Sequence, residues 1–502
     1  MIRAPRPRLR QPSRLAGGAL ADAALALAAC GDGSDAPRRT LLLHACQLPR
    51  LPLAAQCGTL TVPENRDAPA GRTLQVAVAV LPANTLSPRP DPLFILAGGP
   101  GQAASVLGPF AAQLIGIRKD RDIVLVDQRG TGRSSPLECA AWKPDDSPGA
   151  AMAQDPVPKA VACAAELAAA GFDPAQYTTA AYVADLDAVR RALGYARINL
   201  WGGSYGTRVA QEYMRRHGAA VRSAVLDGVV PPRLAISRDA WPTRDAAQAA
   251  VLAACAASTA CRAAHPDPAA ALAAIAARLG ADGSDIVVPD PRTGRQETQR
   301  VTFDHVLAGL QSMLYTPELQ SLLPEVIART AAGDFGPLYA IASLGAADPG
   351  AQVNSALHYS VNCADDAARP AASAGAAALA SLPTRSLAAR VRAVCAAWPR
   401  GRTPADAVQP LSSDIPVLLL SGGLDPVTPP AYGDEVAKTL PRARHVVARG
   451  YGHIVSPHAC GPRLVAAFVD DPDAARLPAG CVGHFEASVR PPLWPDGLGG
   501  AP

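Results

Sequence analysis

Three side chains in this sequence have the types and the order needed for nucleophilic catalysis. Ser204 sits in Gly202-Gly203-Ser204-Tyr205-Gly206, a G-x-S-x-G turn. The apolar run Ile198-Asn199-Leu200-Trp201 enters it, and a helix-compatible stretch, residues 207–217, leaves it. Strand, sharp turn and helix together lift a serine hydroxyl clear of a parallel sheet; without that context the same glycines make an ordinary turn. A serine hydroxyl is a weak nucleophile, so it needs a base to take its proton and an acid to orient that base. Ser421-Gly422-Gly423-Leu424-Asp425-Pro426 follows an apolar run at 415–420, and Gly450-Tyr451-Gly452-His453 follows another at 445–448. Asp425 and His453 are therefore each expected at the C-terminal end of a strand, as acid and base. Asp227, ending Val225-Leu226-Asp227, is the competing acid and is assigned instead to capping a turn. His458, close to Cys460, is read as a surface histidine.

Acyl transfer also needs two backbone N–H groups for the oxyanion. One is expected from Tyr205, the residue after the nucleophile. The other is expected from Gly99 in Ala97-Gly98-Gly99-Pro100-Gly101, where glycines allow an amide to face a ligand closely. No metal or cofactor is called for.

The elements that must position these groups are legible in outline. Residues 74–81 are strand-like, and continuous apolar runs recur at 93–97, 123–126, 198–201 and 221–226. Runs this apolar suit parallel strands buried on both faces. Residues 180–193 form a helix whose core face is Val183, Leu186, Val189 and Leu193, with Gly194 at its C-terminal end. Strands alternating with helices give a doubly wound, mostly parallel α/β core. Together with the order Ser, Asp, His, this is the α/β-hydrolase fold. Residues 233–410 are Ala-rich with few strand signals, so an inserted, mainly helical cap is expected there. The core then comprises 59–232 and 411–485, with a tail at 486–502.

At 502 residues, 49% hydrophobic and 18% charged, the chain has enough apolar side chain for a large core in two units. The net charge of +4 is concentrated in Arg3, Arg6, Arg8, Arg10 and Arg14, leaving the rest near neutral and without a nucleic-acid footprint. That basic start precedes an apolar run at 15–29, which reads as an export signal. Leu27-Ala28-Ala29-Cys30-Gly31 matches a lipobox, so Cys30 is a candidate lipidation site and membrane anchor; a signal peptide with a chance cysteine is the alternative. Polar, Pro-rich residues 30–58 read as a tether. Ten of the eleven cysteines remain, an even number suited to an oxidising compartment. They fall into the local pairs Cys46–Cys57, Cys139–Cys163, Cys255–Cys261, Cys363–Cys395 and Cys460–Cys481, and no C-x-x-C spacing supports a metal site instead.

Gly98-Gly99-Pro100-Gly101, Asp127-Gln128-Arg129-Gly130-Thr131-Gly132-Arg133-Ser134-Ser135 and Gly202-Gly203-Ser204-Tyr205-Gly206 together resemble the proline iminopeptidase family, over about residues 57–485. The C-terminal portion is similar to its secreted tripeptidyl-aminopeptidase branch. One departure is Ala97, where cytoplasmic iminopeptidases carry histidine. Asp127 and Arg129 are read as loop scaffolding. The resemblance implies release of proline or short peptides from a free peptide N-terminus, the amine being held by acids in the cap. His358-Tyr359-Ser360-Val361-Asn362-Cys363-Ala364-Asp365-Asp366 resembles the family's cap segment, making Asp365 and Asp366 candidate amine ligands. An esterase or lactonase on the same fold is the alternative, since fold and triad do not fix the acyl substrate.

Overall fold

The apolar runs become strands. The computed structural model describes residues 39–142, 156–239, 241–290, 293–347, 353–367, 369 and 382–487. Its strands are β1 (His44–Gln47), β2 (Ala54–Pro63), β3 (Thr73–Leu81), β4 (Leu93–Leu96), β5 (Ile123–Val126), β6 (Ile198–Gly203), β7 (Val221–Asp227), β8 (Ser284–Pro289), β9 (Gln296–Val301), β10 (Val417–Gly422) and β11 (Ala443–Ala448). Nine of these form one sheet in the order β1-β2-β3-β5-β4-β6-β7-β10-β11. From β5 to β11 every pairing is parallel, and β1, β2 and β3 add an antiparallel edge.

Side-chain alternation sends each strand's residues to two cores. Val76, Val78, Val80, Phe94, Val124 and Leu200 join a cluster on one face. Leu81, Ile95, Leu125, Trp201, Val225 and Leu420 join the cluster on the other. Burial on both faces explains why these strands read as continuous apolar runs. The helix Thr179–Ala192 begins at an N-capping Thr178. It ends at Gly194, whose φ of 77° lets the amides of Gly194 and Tyr195 turn back onto Arg191 and Arg190 carbonyls.

Two expectations need correction. Residues 39–58, assigned to a tether, carry β1 and the start of β2; the Cys46–Cys57 bridge joins these two strands, and an edge strand tolerates polar, Pro-rich composition. The segment expected as one helical cap divides between two cores. Helices Trp241–Ala257, Pro268–Leu279, Phe303–Met313 and Pro317–Ala331 build a core of their own around Val251, Ile275, Leu310 and Ile327. Helices Ser355–Ala367 and Leu382–Ala397 instead place Leu357, Val361 and Val394 in the cluster under the sheet. A β8–β9 hairpin also interrupts the helices. Its apolar signal was weak because Val288 and Val301 are the only buried residues of its two strands.

All five cysteine pairs are bridged as the spacing suggested, with Cα separations of 5.1 to 5.9 Å. Cys30 and the basic N-terminal segment lie outside the described residues.

Candidate active site

Ser204 occupies the turn between β6 and the helix Tyr205–His217, with φ 55° and ψ −123°. Non-glycine residues rarely adopt such values, and the surroundings must hold them. The Ser204 amide donates to the Asp227 carbonyl at 2.8 Å, and the Ser204 carbonyl accepts from the Thr207 amide and hydroxyl at 2.8 and 2.7 Å. Gly206 is required by packing rather than by its dihedral angles. A Cβ there would lie 2.2 Å from the Leu96 carbonyl oxygen at the end of β4. The resulting serine is half-buried, whereas β6 before it and residues 205–214 after it are buried.

The acid and the base come from the loops after β10 and β11. His453 Nδ1 lies 2.8 Å from Asp425 Oδ2, and both residues are buried. Asp425 Oδ1 accepts the amides of Val427 and Thr428 at 2.8 and 2.7 Å, and Oδ2 also accepts the Thr428 hydroxyl at 2.8 Å. Burial pushes the Asp425 carboxyl up, but His453 and these donors outweigh it and hold the group below the usual carboxylate value. Burial pushes His453 down, and Asp425, then Asp227, more than reverse that, leaving the imidazole above its ordinary value. With Nδ1 committed to Asp425, Nε2 is left to exchange protons. Ser204 and His453 flank the same bend at the end of β7: Asp227 takes the serine amide, and a Cβ on Gly228 would lie 3.0 Å from His453 Cε1.

Asp227, the rival acid, is fully buried and bonded elsewhere. Its carboxylate accepts the amides of Val455 and Ser456 at 2.9 and 2.7 Å, fixing the loop that carries His453. Thr428 escaped the sequence reading, although the Asp425-Pro426-Val427-Thr428 spacing is that of an aspartate bonding its own chain two and three residues on.

The Gly98–Gly101 loop closes on the nucleophile: a Cβ on Gly98 would lie 3.2 Å from Ser204 Cβ. The Gly98 amide is taken by Gln102 Oε1 at 3.0 Å, which removes it as an oxyanion donor and leaves Gly99 the candidate. Tyr205 opens its helix, so its amide is among the N–H groups with no partner inside the helix. Asn354 and His358 brace the loop from the inserted segment, the Asn354 amide donating to Gly101 at 2.9 Å and His358 Nδ1 lying 3.0 Å from the Pro100 carbonyl. The D-Q-R-G string stands behind it as scaffolding. Asp127 accepts the Ser105 amide and hydroxyl, and Arg129 forks onto Asp185 at 2.7 and 2.8 Å.

The family profile described as alpha/beta hydrolase fold matches residues 91–457. The chain belongs to the α/β-hydrolase family. Among its relatives are the tripeptidyl aminopeptidase of Streptomyces coelicolor, 33% identical over 199 residues, 36% of each chain, and serine protease Hip1 of Mycobacterium tuberculosis, 30% identical over 200 residues, 36% of this chain and 37% of Hip1. The chain thus matches little more than a third of the length of these curated relatives. Among solved structures, the proline iminopeptidase of Mycobacterium smegmatis aligns over 86% of this chain and 98% of its own, at 16% identity and a TM-score of 0.35.

The remaining residues singled out in sequence are placed differently by the hydrolase fold. Asp365 is buried: Thr179 and Thr403 donate to its two oxygens at 2.8 and 3.0 Å, Arg208 lies 3.6 Å away, and Arg369 bonds its carbonyl. Asp366 accepts the Ile236 amide at 3.1 Å. An ammonium at Asp365 would have to displace these partners, so its geometry is that of a tie between the inserted segment and the nucleophile helix. His458 is half-buried beside Tyr451. A second Ser-His-Asp array exists: His445 lies 3.0 Å from Ser421 Oγ and 2.8 Å from Asp434. Ser421 is fully buried in a regular strand, so this array can only tie β10 to β11 and to the helix Pro430–Ala437 between them.

Proposed function

We propose that this α/β-hydrolase is an exported serine aminopeptidase, releasing proline or short peptides from free peptide N-termini. The buried Asp425–His453 pair, beside a serine raised on a strained turn, carries this reading. The relatives named tripeptidyl aminopeptidase and serine protease support the choice of an amide as substrate. In the proposed mechanism Ser204 Oγ attacks the scissile carbonyl carbon and His453 Nε2 takes the hydroxyl proton. The Gly99 and Tyr205 amides hold the oxyanion. Collapse breaks the C–N bond, and the imidazolium returns its proton to the leaving amine. Water then adds to the acyl-enzyme, its proton passing to Nε2 and on to Ser204 Oγ as the acid departs. Asp425 keeps the imidazole in the tautomer with Nδ1 protonated. Five disulfide bridges support export to an oxidising compartment, and a lipid anchor on Cys30 completes the proposal.

A second reading, an esterase or lactonase, is favoured by one observation: Asp365 is already engaged by protein partners. The deciding assay is hydrolysis of one chromogenic peptidyl amide, free and N-acetylated, with Ser204→Ala as blank. Cleavage of the free-amine form alone supports the aminopeptidase. Equal cleavage of both, or of p-nitrophenyl esters only, replaces it with the esterase.

A further inference from the structure

The loops that carry Asp425 and His453 are held together from the inserted segment as well as from the sheet. Gln320, fully buried in the helix Pro317–Ala331, donates through Nε2 to the Leu314 carbonyl at 2.7 Å and to the Leu424 carbonyl at 3.3 Å. Leu424 immediately precedes Asp425, and its side chain is buried in the inserted segment's own core with Leu310, Met313, Leu314 and Leu323. Its amide donates to the Tyr451 carbonyl at 2.9 Å, joining the acid loop to the histidine loop. On that second loop the His453 amide donates to the Tyr315 carbonyl at 2.8 Å, and the Tyr315 ring meets the imidazole edge-on, centroids 5.3 Å apart at 80°. The approach is too close for any side chain at position 452. A Cβ on Gly452 would lie 2.5 Å from the Tyr315 carbonyl oxygen, 2.6 Å from that of Leu314 and 2.7 Å from Gln320 Nε2.

We propose that residues 314–320 of the inserted segment position the catalytic pair, with Gln320 tying the acid loop and the Tyr315 ring seating the imidazole. The proposal rests on reading Ser204, His453 and Asp425 as the triad. It makes the inserted segment part of the catalytic assembly rather than only a cover over it. Gln320 reaches only backbone carbonyls, and Tyr315 acts through the imidazole that it packs against. They act by holding Asp425 and His453 at their 2.8 Å separation, where a displacement of about 1 Å can cost on the order of 100-fold in rate.

The test is steady-state kinetics across pH on the full chain, with thermal unfolding and fluorophosphonate labelling to count formed sites. Gln320→Met keeps length and bulk but cannot donate. It is expected to lower kcat per labelled site about 10- to 100-fold, with KM within about twofold, and to move the acid limb of kcat/KM downward as Asp425 loosens from His453. Tyr315→Ala is expected to do the same, and Tyr315→Phe, which keeps the ring, to recover most of the rate. Should Gln320→Met fail to fold, the Tyr315→Ala and Tyr315→Phe pair decides. Wild-type kcat and pH profile in Gln320→Met or Tyr315→Ala, whatever the melting temperature, would overturn the proposal while leaving the triad intact if Ser204→Ala is inactive. An active Ser204→Ala would remove the triad reading and this proposal with it.

Discussion

Replacing Asp425 by Asn tests the proposed triad most sharply, because the surrounding donors dictate how the amide must sit. Oδ1 accepts two backbone amides, from Val427 and Thr428, so the asparagine carbonyl oxygen has to take that place. Its NH₂ group then falls where Oδ2 stood, 2.8 Å from His453 Nδ1, and donates to it. A donor there forces Nδ1 to be the bare nitrogen and puts the imidazole proton on Nε2, so the base presents a proton where a lone pair is needed. Wrong-tautomer substitutions of this kind lower kcat by about 10⁴, which corresponds to about 5 kcal/mol of transition-state stabilisation. The variant should remain folded, since one amide replaces one carboxylate of the same shape. The assay is kcat on a chromogenic peptidyl amide from pH 5 to 10. The residual activity should also show its acid limb at lower pH than wild type, because the carboxylate that holds the imidazolium is gone. A kcat within about tenfold of wild type would refute the assignment and return the role to Asp227. The control is Asp227→Asn, which loses one acceptor to the Val455 and Ser456 amides but leaves the His453 tautomer untouched.

Two further outcomes follow from the same geometry. His453 must be neutral to act as base, and Asp425 and Asp227 together raise its pKa above the ordinary 6.5 despite burial; kcat/KM should therefore rise with pH and reach half its plateau above 6.5. A limb at or below that value would mean that the pairing does not hold in the working enzyme. Asp365→Asn takes the buried counter-charge from Arg208 and should cost on the order of 3 kcal/mol in chemical unfolding. Its KM for a free-amine substrate should stay near wild type; a rise of more than tenfold with unchanged stability would return Asp365 to amine binding.

The serine turn was legible because its signal is local: a strand, two glycines and a helix leave few other geometries, and Gly206 is where the Leu96 carbonyl approaches within reach of a Cβ. The sheet was legible for a related reason. Strands buried on both faces need unbroken apolar runs, and those survive in any reading of the sequence. Asp425 and His453 could be proposed from chain order, since each follows an apolar run that had to be a strand. By contrast β1 was hidden, because an edge strand half-covered by solvent needs no apolar pattern, and β8–β9 was hidden because each of its strands buries a single side chain.

What the sequence determined by itself was therefore which residues could do chemistry and the order in which the chain supplies them; the local cysteine pairs it suggested are bridged in the structure. Tertiary structure alone decided what those residues face. Asp227 and Asp425 both follow apolar runs and both accept backbone amides, but only Asp425 also meets an imidazole, 28 residues further along the chain. Asp365 looked available until Arg208, Thr179 and Thr403 were seen around it. Gln320, more than a hundred residues from Leu424, gave no local sign of its contact with the acid loop. A side chain's charge is written in its type, but its partners come from chain segments that only the fold brings within hydrogen-bonding distance.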